Sequence, residues 1–458
     1  MASARVAILS IPLSLSPAPP RCCSRSGCWI QRRCNLDGGK SAAAVRPGMI
    51  AAGMHAAGYR TLSLDGGWWG GGKSGKVRRN SSGFLTVNDT KFPVSGKGGN
   101  GGLLRLSNYV TARGFLFGVY TSANVKMCSQ DVGGSAGYEQ KDATLFASWN
   151  ISLMKLDDCG SSIANASRVM AKWTALYQQL MPDRTVALFN SQVGCCAGSS
   201  GACSSAFTRH MPQWCYDTST TMYQPADGND EWDIIIQRHH SVAGRGFLAR
   251  PGSWLDPGYL TLDVGDNYYN GTNLPMKLDQ NIAVFSLWVI VSAPLVASFS
   301  FSGRVCPAGS FGGASYGERC ITSRPVPQAI LDIVTNRAAI EINQQFDTGA
   351  HWHAGDLVWT RPNSLQLWAK PLPNGGFGAV LFRNHCSSCR DPAIPLNVSF
   401  ALSDLPRFGR AGQLSCAAGG CTLLEVWSND SRVVRDPSEN MTFTLRRRQA
   451  LLVRIETG

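Results

Sequence analysis

RTLSLDGGWWGGGKS, residues 60–74, can be read in two ways, and each leads to a different fold. Gly67–Ser74 satisfies G-x-x-x-x-G-K-[ST], the pattern of a loop that cradles phosphate with its backbone amides. That reading requires a helix directly behind the loop, with its N-terminus on the phosphates. The following residues, GKVRRNSSGFLTVNDTKFP (75–93), read as loop and hold two Asn-x-Ser/Thr sequons, and two Trp inside the cradle would obstruct the backbone approach to a phosphate. The second reading makes RTLSLD (60–65) a buried strand with Asp65 at its C-terminal end, the end of a barrel strand that carries chemistry. The second reading is adopted, and the match to the phosphate loop is a coincidence of glycine spacing.

Working outward, apolar strand-like runs recur at FLFGVY (115–120), SLMKLDD (152–158), TVALFN (185–190) and PLVASF (294–299). Helical stretches are expected between them, at 46–58, 102–113 and 166–181. Strands alternating with helices mean a parallel sheet covered by helices. The strand spacing over the first two thirds of the chain suits an eight-stranded α/β barrel better than an open sheet. From about Gln344 the pattern changes to short alternating segments such as LVWTRP, LQLWAKP, FGAVLFRN, CTLLEVW and ALLVRI, an antiparallel β domain. The fold class expected is therefore α/β: a (β/α)8 TIM barrel followed by a C-terminal antiparallel β-sandwich. The divisions are 1–24 as a signal or targeting segment, 25–343 as the barrel and 344–458 as the β-sandwich. No internal repeat is evident.

Composition sets the outer bounds. With 458 residues, 44% hydrophobic and 16% charged, the chain is an ordinary globular protein large enough for two domains. The net charge of +13 raises nucleic acid as a partner, but Lys and Arg are dispersed and five Arg without an acid fall in the first 34 residues, so no nucleic acid is expected. Sixteen Cys point to an oxidising compartment, with Cys306 and Cys320, Cys386 and Cys389, and Cys416 and Cys421 spaced to close short loops. Zinc is the rival reading, and CSSC at 386–389 has no equally convincing partner pair to complete such a site. Eight sequons begin at Asn80, Asn88, Asn150, Asn165, Asn270, Asn397, Asn429 and Asn440 and favour a secretory-pathway glycoprotein. The N-terminus, MASARVAILSIPLSLSPAPP, makes a mediocre signal peptide, and plastid targeting is the competing reading. IAVFSLWVIVSAPLVASFSF (282–301) has membrane-spanning length, but Pro294 and four Ser make it a buried helix ending near Ser292 followed by a buried strand. HWH at 351–353, HH at 239–240 and RRR at 446–448 read as packing or solvated residues.

Two carboxylates stand out by position: Asp157, ending SLMKLDD, and Asp227, in QPADGNDEWD (224–233). Retaining glycosidases need one carboxylate as nucleophile and another as acid/base on opposite sides of the scissile bond. Strand ends of a barrel can bring two such residues together. The segment FASWNISLMKLDDCG (146–160), with its Lys-x-Asp-x-Cys motif, resembles glycoside hydrolase family 27, the α-galactosidases and α-N-acetylgalactosaminidases. The resemblance continues through HAAGYRTLSLDGGWW, GFLTVNDTKFPVSG, RGFLFGVYTSA, VKMCSQDVGGSAGYE, RPGSWLDPGYLTLDVG, FSLWVIVSAPLVASF and EINQQFD, in order over about 300 residues, and thins out in the β domain.

The resemblance implies Asp157 as nucleophile, Asp227 (five residues before Trp232) as acid/base, and Lys155 and Asp65 as contacts to sugar hydroxyls. It places Trp29, five residues before Cys34, against the sugar face, and implies a disulfide between Cys128 and Cys159. No cofactor or metal is implied; the partner is a carbohydrate substrate, without a membrane span, and a homodimer is left open. The activity implied is hydrolysis of terminal α-D-galactosyl residues through a covalent glycosyl-Asp intermediate. Several positions depart from the family. Its paired acids after the second strand are Asp65 and Gly66 here, and Gly67 leaves Cys34 without the expected partner. In WLDPGYL, Asp256 is kept and Gly258 replaces an Asp. Tyr223 replaces a substrate-binding Arg, an acidic position corresponds to Gln192, and CSRSGCW (23–29) replaces an apolar first strand. The alternatives left open are a pocket shifted to another α-linked sugar and a catalytically silent glycan-binding glycoprotein.

Overall fold

The structure, a computed structural model, describes residues 10–12, 52–66, 68–70, 79–88, 92, 101–127, 130–159, 165–191, 195, 211–223, 232–258, 260, 262, 265–266, 274–297, 327–346, 354–384, 394–405, 416 and 419–457. Seven strands form one sheet in sequential order: β1 (Ser10–Pro12), β2 (Thr61–Ser63), β3 (Leu116–Ser122), β4 (Leu153–Asp157), β5 (Ala187–Ser191), β6 (Thr221–Tyr223) and β7 (Trp254–Asp256). Every pairing is parallel. Among the described residues of the segment expected as the strand PLVASF, Ala297 pairs at the eighth position, in a parallel bridge to Leu260. Before it, Pro294 has no N–H to donate, and the Val296 amide turns back to the Pro294 carbonyl at 3.0 Å. Ser10–Pro12, from the apolar run of the N-terminal segment, pairs with β2 at the first position; CSRSGCW lies outside the described residues.

The helices that cover the sheet are α1 (Gly101–Thr111), α2 (Glu139–Ser148), α3 (Ala166–Leu180), α4 (Gln213–Thr218), α5 (Trp232–His240), α6 (Leu278–Ile290), α7 (Gln328–Val334) and α8 (Arg337–Gln344). In α3 the buried residues are Met170, Trp173, Leu176 and Tyr177, one stripe at helical spacing. The helix expected over 46–58 is not formed across its described part: 52–58 is a turn segment, with Gly53 and Gly58 at φ +74° and +108°. Helix α6 is buried almost all round and, at 13 residues, about 20 Å long, against roughly 30 Å for a bilayer core. No helix among the described residues is long and apolar enough to cross a membrane.

The C-terminal part holds a six-stranded antiparallel sheet and a two-stranded one. Its strands are β8 (Asp356–Arg361), β9 (Leu365–Pro371), β10 (Phe377–Arg383), β11 (Leu396–Phe400), β12 (Cys421–Glu425), β13 (Ser431–Val434), β14 (Met441–Leu445) and β15 (Gln449–Thr457). The large sheet runs β8-β9-β10-β15-β12-β13, and β11 pairs with β14. Period-two alternation explains why β9 and β10 are buried at every residue. Leu367, Ala369, Ala379 and Leu381 pack with Val398, Phe400 and Met441 of the small sheet to form the sandwich core. The intervening Trp368, Val380 and Phe382 belong to the barrel's core instead.

The two parts are joined by polar contacts as well. Lys370 is fully buried and donates from Nζ to the carbonyls of Ile342 and Asn343 at the C-terminal end of α8, where the helix dipole favours a cation. Burial holds its pKa well below the usual lysine range. Trp232 and Trp427 donate to Asn384 Oδ1 and Ser286 Oγ, each at 3.0 Å. The HH pair at 239–240 packs at this junction: the His239 ring lies 4.5 Å from Trp368, and His240 stacks on the same indole at 5.9 Å.

Candidate active site

The site is set by strand periodicity in β4. Leu153, Lys155 and Asp157 alternate with Met154 and Leu156, which are buried in the core shared with the helices. Leu153 sits in a separate small cluster with Ala187, Phe189 and Val296, the layer that fills the barrel interior. Lys155 and Asp157 are the next residues on that face, so they stand above this layer at the C-terminal ends of the strands. The register places Ser122 and Ser191 on either side of Asp157, and Tyr120 beside Lys155.

Lys155 Nζ donates to Asp65 Oδ2 at 2.9 Å, while the Gly66 amide donates to Asp65 Oδ1 at 2.6 Å. Asp65 is 6% exposed and Asp157 7%, so both carboxylates are largely withdrawn from water. The Asp158 amide donates to Asp157 Oδ1 at 3.0 Å, and the Tyr120 hydroxyl donates to the Asp157 carboxylate. Burial, followed by the negative charges of Asp157 and Asp65, pushes the Tyr120 phenol well above its usual range, with Lys155 pulling the other way. The phenol is therefore a fixed donor at any working pH. Its oxygen also lies 3.0 Å from Sγ of Cys159, which is disulfide-bonded.

The stretch with the phosphate-loop spacing has a structural role here. Trp68 Nε1 donates to the Tyr120 carbonyl at 3.0 Å, and Trp69 stacks on the Tyr120 ring at 5.7 Å. The described residues that follow, 79–88, run as turns and bridges that pair back on Trp69, with no helix among them.

Asp256 ends β7 in register with Tyr223 and is 1% exposed. Its Oδ1 accepts from the Gly258 amide at 2.8 Å and its Oδ2 has no hydrogen-bond partner. Burial pushes its carboxyl up to about 7, against the smaller opposing pulls of the Gly258 amide and the Lys155 charge. Gly258 has φ +107°, a conformation that strains any other residue, and its carbonyl accepts from Trp288 Nε1 at 3.0 Å. The loop after β7 thus follows a path built for glycine where the family resemblance would place an Asp.

Of the residues singled out from the sequence, the structure brings together Asp65, Lys155, Asp157 and Asp256. Tyr223 is the last residue of β6, with only its backbone described. Trp29, Gln192, Asp227 and Cys128 lie outside the described residues. The Cys416–Cys421 disulfide is present, and a second disulfide joins Cys195 to Cys215. Tyr120 went unrecognised in the sequence as a site residue; its signal was its place at the end of an apolar run one strand from Lys-x-Asp.

Residues 40–306 match the family model described as alpha galactosidase A. Alpha-galactosidase 2 of Arabidopsis thaliana is 25% identical over 364 residues, covering 78% of this chain and 74% of its own length. Alpha-galactosidase A of Cellvibrio japonicus is 26% identical over 393 residues, covering 83% and 80%. Among solved structures, alpha-galactosidase I of Mortierella vinacea superposes with a TM-score of 0.63 at 17% identity, covering 92% of this chain and 93% of that one. A β-L-arabinopyranosidase of glycoside hydrolase family 27 from Geobacillus stearothermophilus gives 0.64 at 15%, covering 99% and 97%. At these identities the structural matches speak for the fold, while the match to the family model spans more than half of the chain. The chain belongs to the alpha-galactosidase A family, the glycoside hydrolases of family 27.

Proposed function

We propose that the protein is a retaining α-glycosidase that releases terminal α-D-galactosyl residues from oligosaccharides or glycoconjugates. The observation that carries this reading is the Asp157 carboxylate. It is nearly buried at a strand's C-terminal end, held by the Tyr120 hydroxyl and the Asp158 amide, and set beside the Lys155–Asp65 pair. A nucleophile must be fixed in orientation and kept from random solvation, and two donors on one carboxylate accomplish both.

In the reaction Asp157 attacks the anomeric carbon and the glycosidic bond breaks. The departing oxygen takes a proton from Asp227, which falls in the chain between the end of β6 and the start of α5. A glycosyl ester on Asp157 results. Asp227, now ionised, removes a proton from water as that water attacks the same carbon, which regenerates both carboxyl groups and leaves the α-anomer. Asp65 accepts from, and Lys155 donates to, sugar hydroxyls. The Lys155–Asp65 contact keeps both oriented before substrate arrives. The Cys195–Cys215 and Cys416–Cys421 disulfides, the disulfide-bonded Cys159 and the exposed sequon residues support passage through the secretory pathway.

Gly66 and Gly258 favour a second reading, a site that binds sugar without turning it over, because two carboxylates that would hold sugar hydroxyls are missing. The test is turnover of aryl α-galactoside, α-N-acetylgalactosaminide and β-L-arabinopyranoside, with the first-formed anomer followed by NMR. Release of α-galactose that disappears in Asp157→Ala supports the proposal. β-Galactose as first product from the α-galactoside overturns retention, and sugar binding without turnover of any substrate overturns the enzyme reading.

A further inference from the structure

A second polar pocket lies in the β-sandwich, remote from the barrel strand ends. It is a cavity of about 230 Å³ lined by Arg361 at the end of β8, Leu365 at the start of β9, Arg383 at the end of β10, and Leu396, Asn397 and Ser399 of β11. Arg383 is 3% exposed. One of its terminal nitrogens, Nη1, donates to the carbonyls of Ile394 (2.8 Å) and Leu445 (2.9 Å). No carboxylate pairs with it among the described residues, and the side chain lines the cavity. A guanidinium withdrawn from water without a counter-charge is costly, and two neutral carbonyls compensate only part of that cost. Burial lowers its pKa, although the group stays charged.

The second arginine is poorly neutralised too. Arg361 lies over the Trp359 ring at 3.9 Å and reaches the Ser399 carbonyl at 3.3 Å and Asp404 Oδ2 at 3.4 Å. Asp404 gives its shorter bond, 3.0 Å, to the Ala401 amide. Among the described residues that line it, the pocket therefore has two guanidinium groups, and the one carboxylate near them, Asp404, is shared between Arg361 and the Ala401 amide. Leu365 and Leu396 give it apolar lining, and Asn397 and Ser399 give it polar lining. The volume equals that of roughly eight waters, enough for one sugar ring and more than a bare oxyanion fills.

We infer that this pocket binds a single acidic sugar unit, with the oxyanion of a uronate or a sulfate ester on Arg361 and Arg383 and the ring against Leu365 and Leu396. The chain's net charge of +13 draws such polyanionic glycans to the surface. Arginine's planar fork suits carboxylate and sulfate oxygens alike.

The test is titration calorimetry of the full-length protein at low salt with D-glucuronate, D-glucose 6-sulfate, D-glucose and inorganic sulfate. Gluco-configured probes keep the measurement clear of a galactose site. Saturable binding of glucuronate or glucose 6-sulfate is expected, with none for glucose. Loss of one charged hydrogen bond in Arg361→Gln weakens it about tenfold or more. Arg383→Lys, which keeps the charge and loses the fork, weakens it as well. Turnover of aryl α-galactoside stays unchanged in Arg361→Gln, whose side chain is exposed enough to leave folding intact. Binding that ignores both substitutions, or glucose bound as well as glucuronate, overturns the site. Inorganic sulfate bound as tightly as glucose 6-sulfate overturns the role of the ring.

Discussion

Replacing Asp256 by Asn isolates the electrostatic strain in the site. In the folded protein this carboxyl titrates near 7, against an ordinary value of 3.8, because burial outweighs the Gly258 amide and the Lys155 charge. A folded-state pKa raised above the unfolded one means that ionisation costs stability. The stability is fully present below about pH 4 and is lost as pH rises through 7. A gap of about three pKa steps corresponds to about 4 kcal/mol once the group is fully ionised. Asn cannot ionise, and its oxygen can still accept from Gly258. Its amide takes the place of the unpartnered Oδ2, at a pH-independent cost of about 1–3 kcal/mol. The assay is urea unfolding followed by tryptophan fluorescence, with Trp288 bonded to the same loop, at intervals from pH 4.5 to 8. Relative to the wild type, the variant should gain stability steadily up to about pH 7 and level off above it. A difference that is flat with pH, or that grows toward acid, refutes the reasoning.

Other outcomes follow from the same geometry. Tyr120→Phe keeps the ring stacked on Trp69 and removes the donor to Asp157; kcat for aryl α-galactoside should fall about 10- to 100-fold, the worth of a hydrogen bond to a charged group, with little change in unfolding midpoint. His239 is pushed down to about 3 by burial and by His240. Its folded pKa lies below the unfolded value, so stability is present above about pH 6.5 and erodes as pH falls, by about 2 kcal/mol at pH 5. His239→Gln, which can still donate to the Leu287 carbonyl, should flatten that acid limb in calorimetric scans. Among the sequons, Asn88 is 4% exposed while Asn80, Asn150 and Asn165 are exposed. Glycopeptide mapping of the protein produced through a eukaryotic secretory pathway should find glycans on the exposed sites and none on Asn88.

The strands around the site were legible because a barrel strand buried on both faces must be an apolar run, and FLFGVY, SLMKLDD and TVALFN each became one. PLVASF met the same criterion, and of its described residues Ala297 bridges to Leu260; a run of apolar residues records burial and says nothing of whether a ladder can start beside a proline. Lys155 and Asp157 were visible as alternate polar residues in an apolar strand. Tyr120 was not, because its role depends on the register between β3 and β4. The lifted pKa of Asp256 depends on total burial, and the Cys195–Cys215 pairing on tertiary approach, and neither leaves a local mark in the chain. The His239–His240 pair was legible as packing, since two histidines without a third ligand have no metal chemistry to serve. The phosphate-loop spacing misleads for a related reason: among the described residues of that stretch, the site is built with Asp65 and the two tryptophans.

The identity of the nucleophile is open to direct observation. A slow-turnover fluorinated α-galactosyl fluoride should leave one sugar esterified to the enzyme, and mass spectrometry of the digest should place it on Asp157. The label should be absent from Asp157→Ala. A sugar on any other carboxylate, or steady turnover with no covalent species under conditions that trap it, contradicts the account.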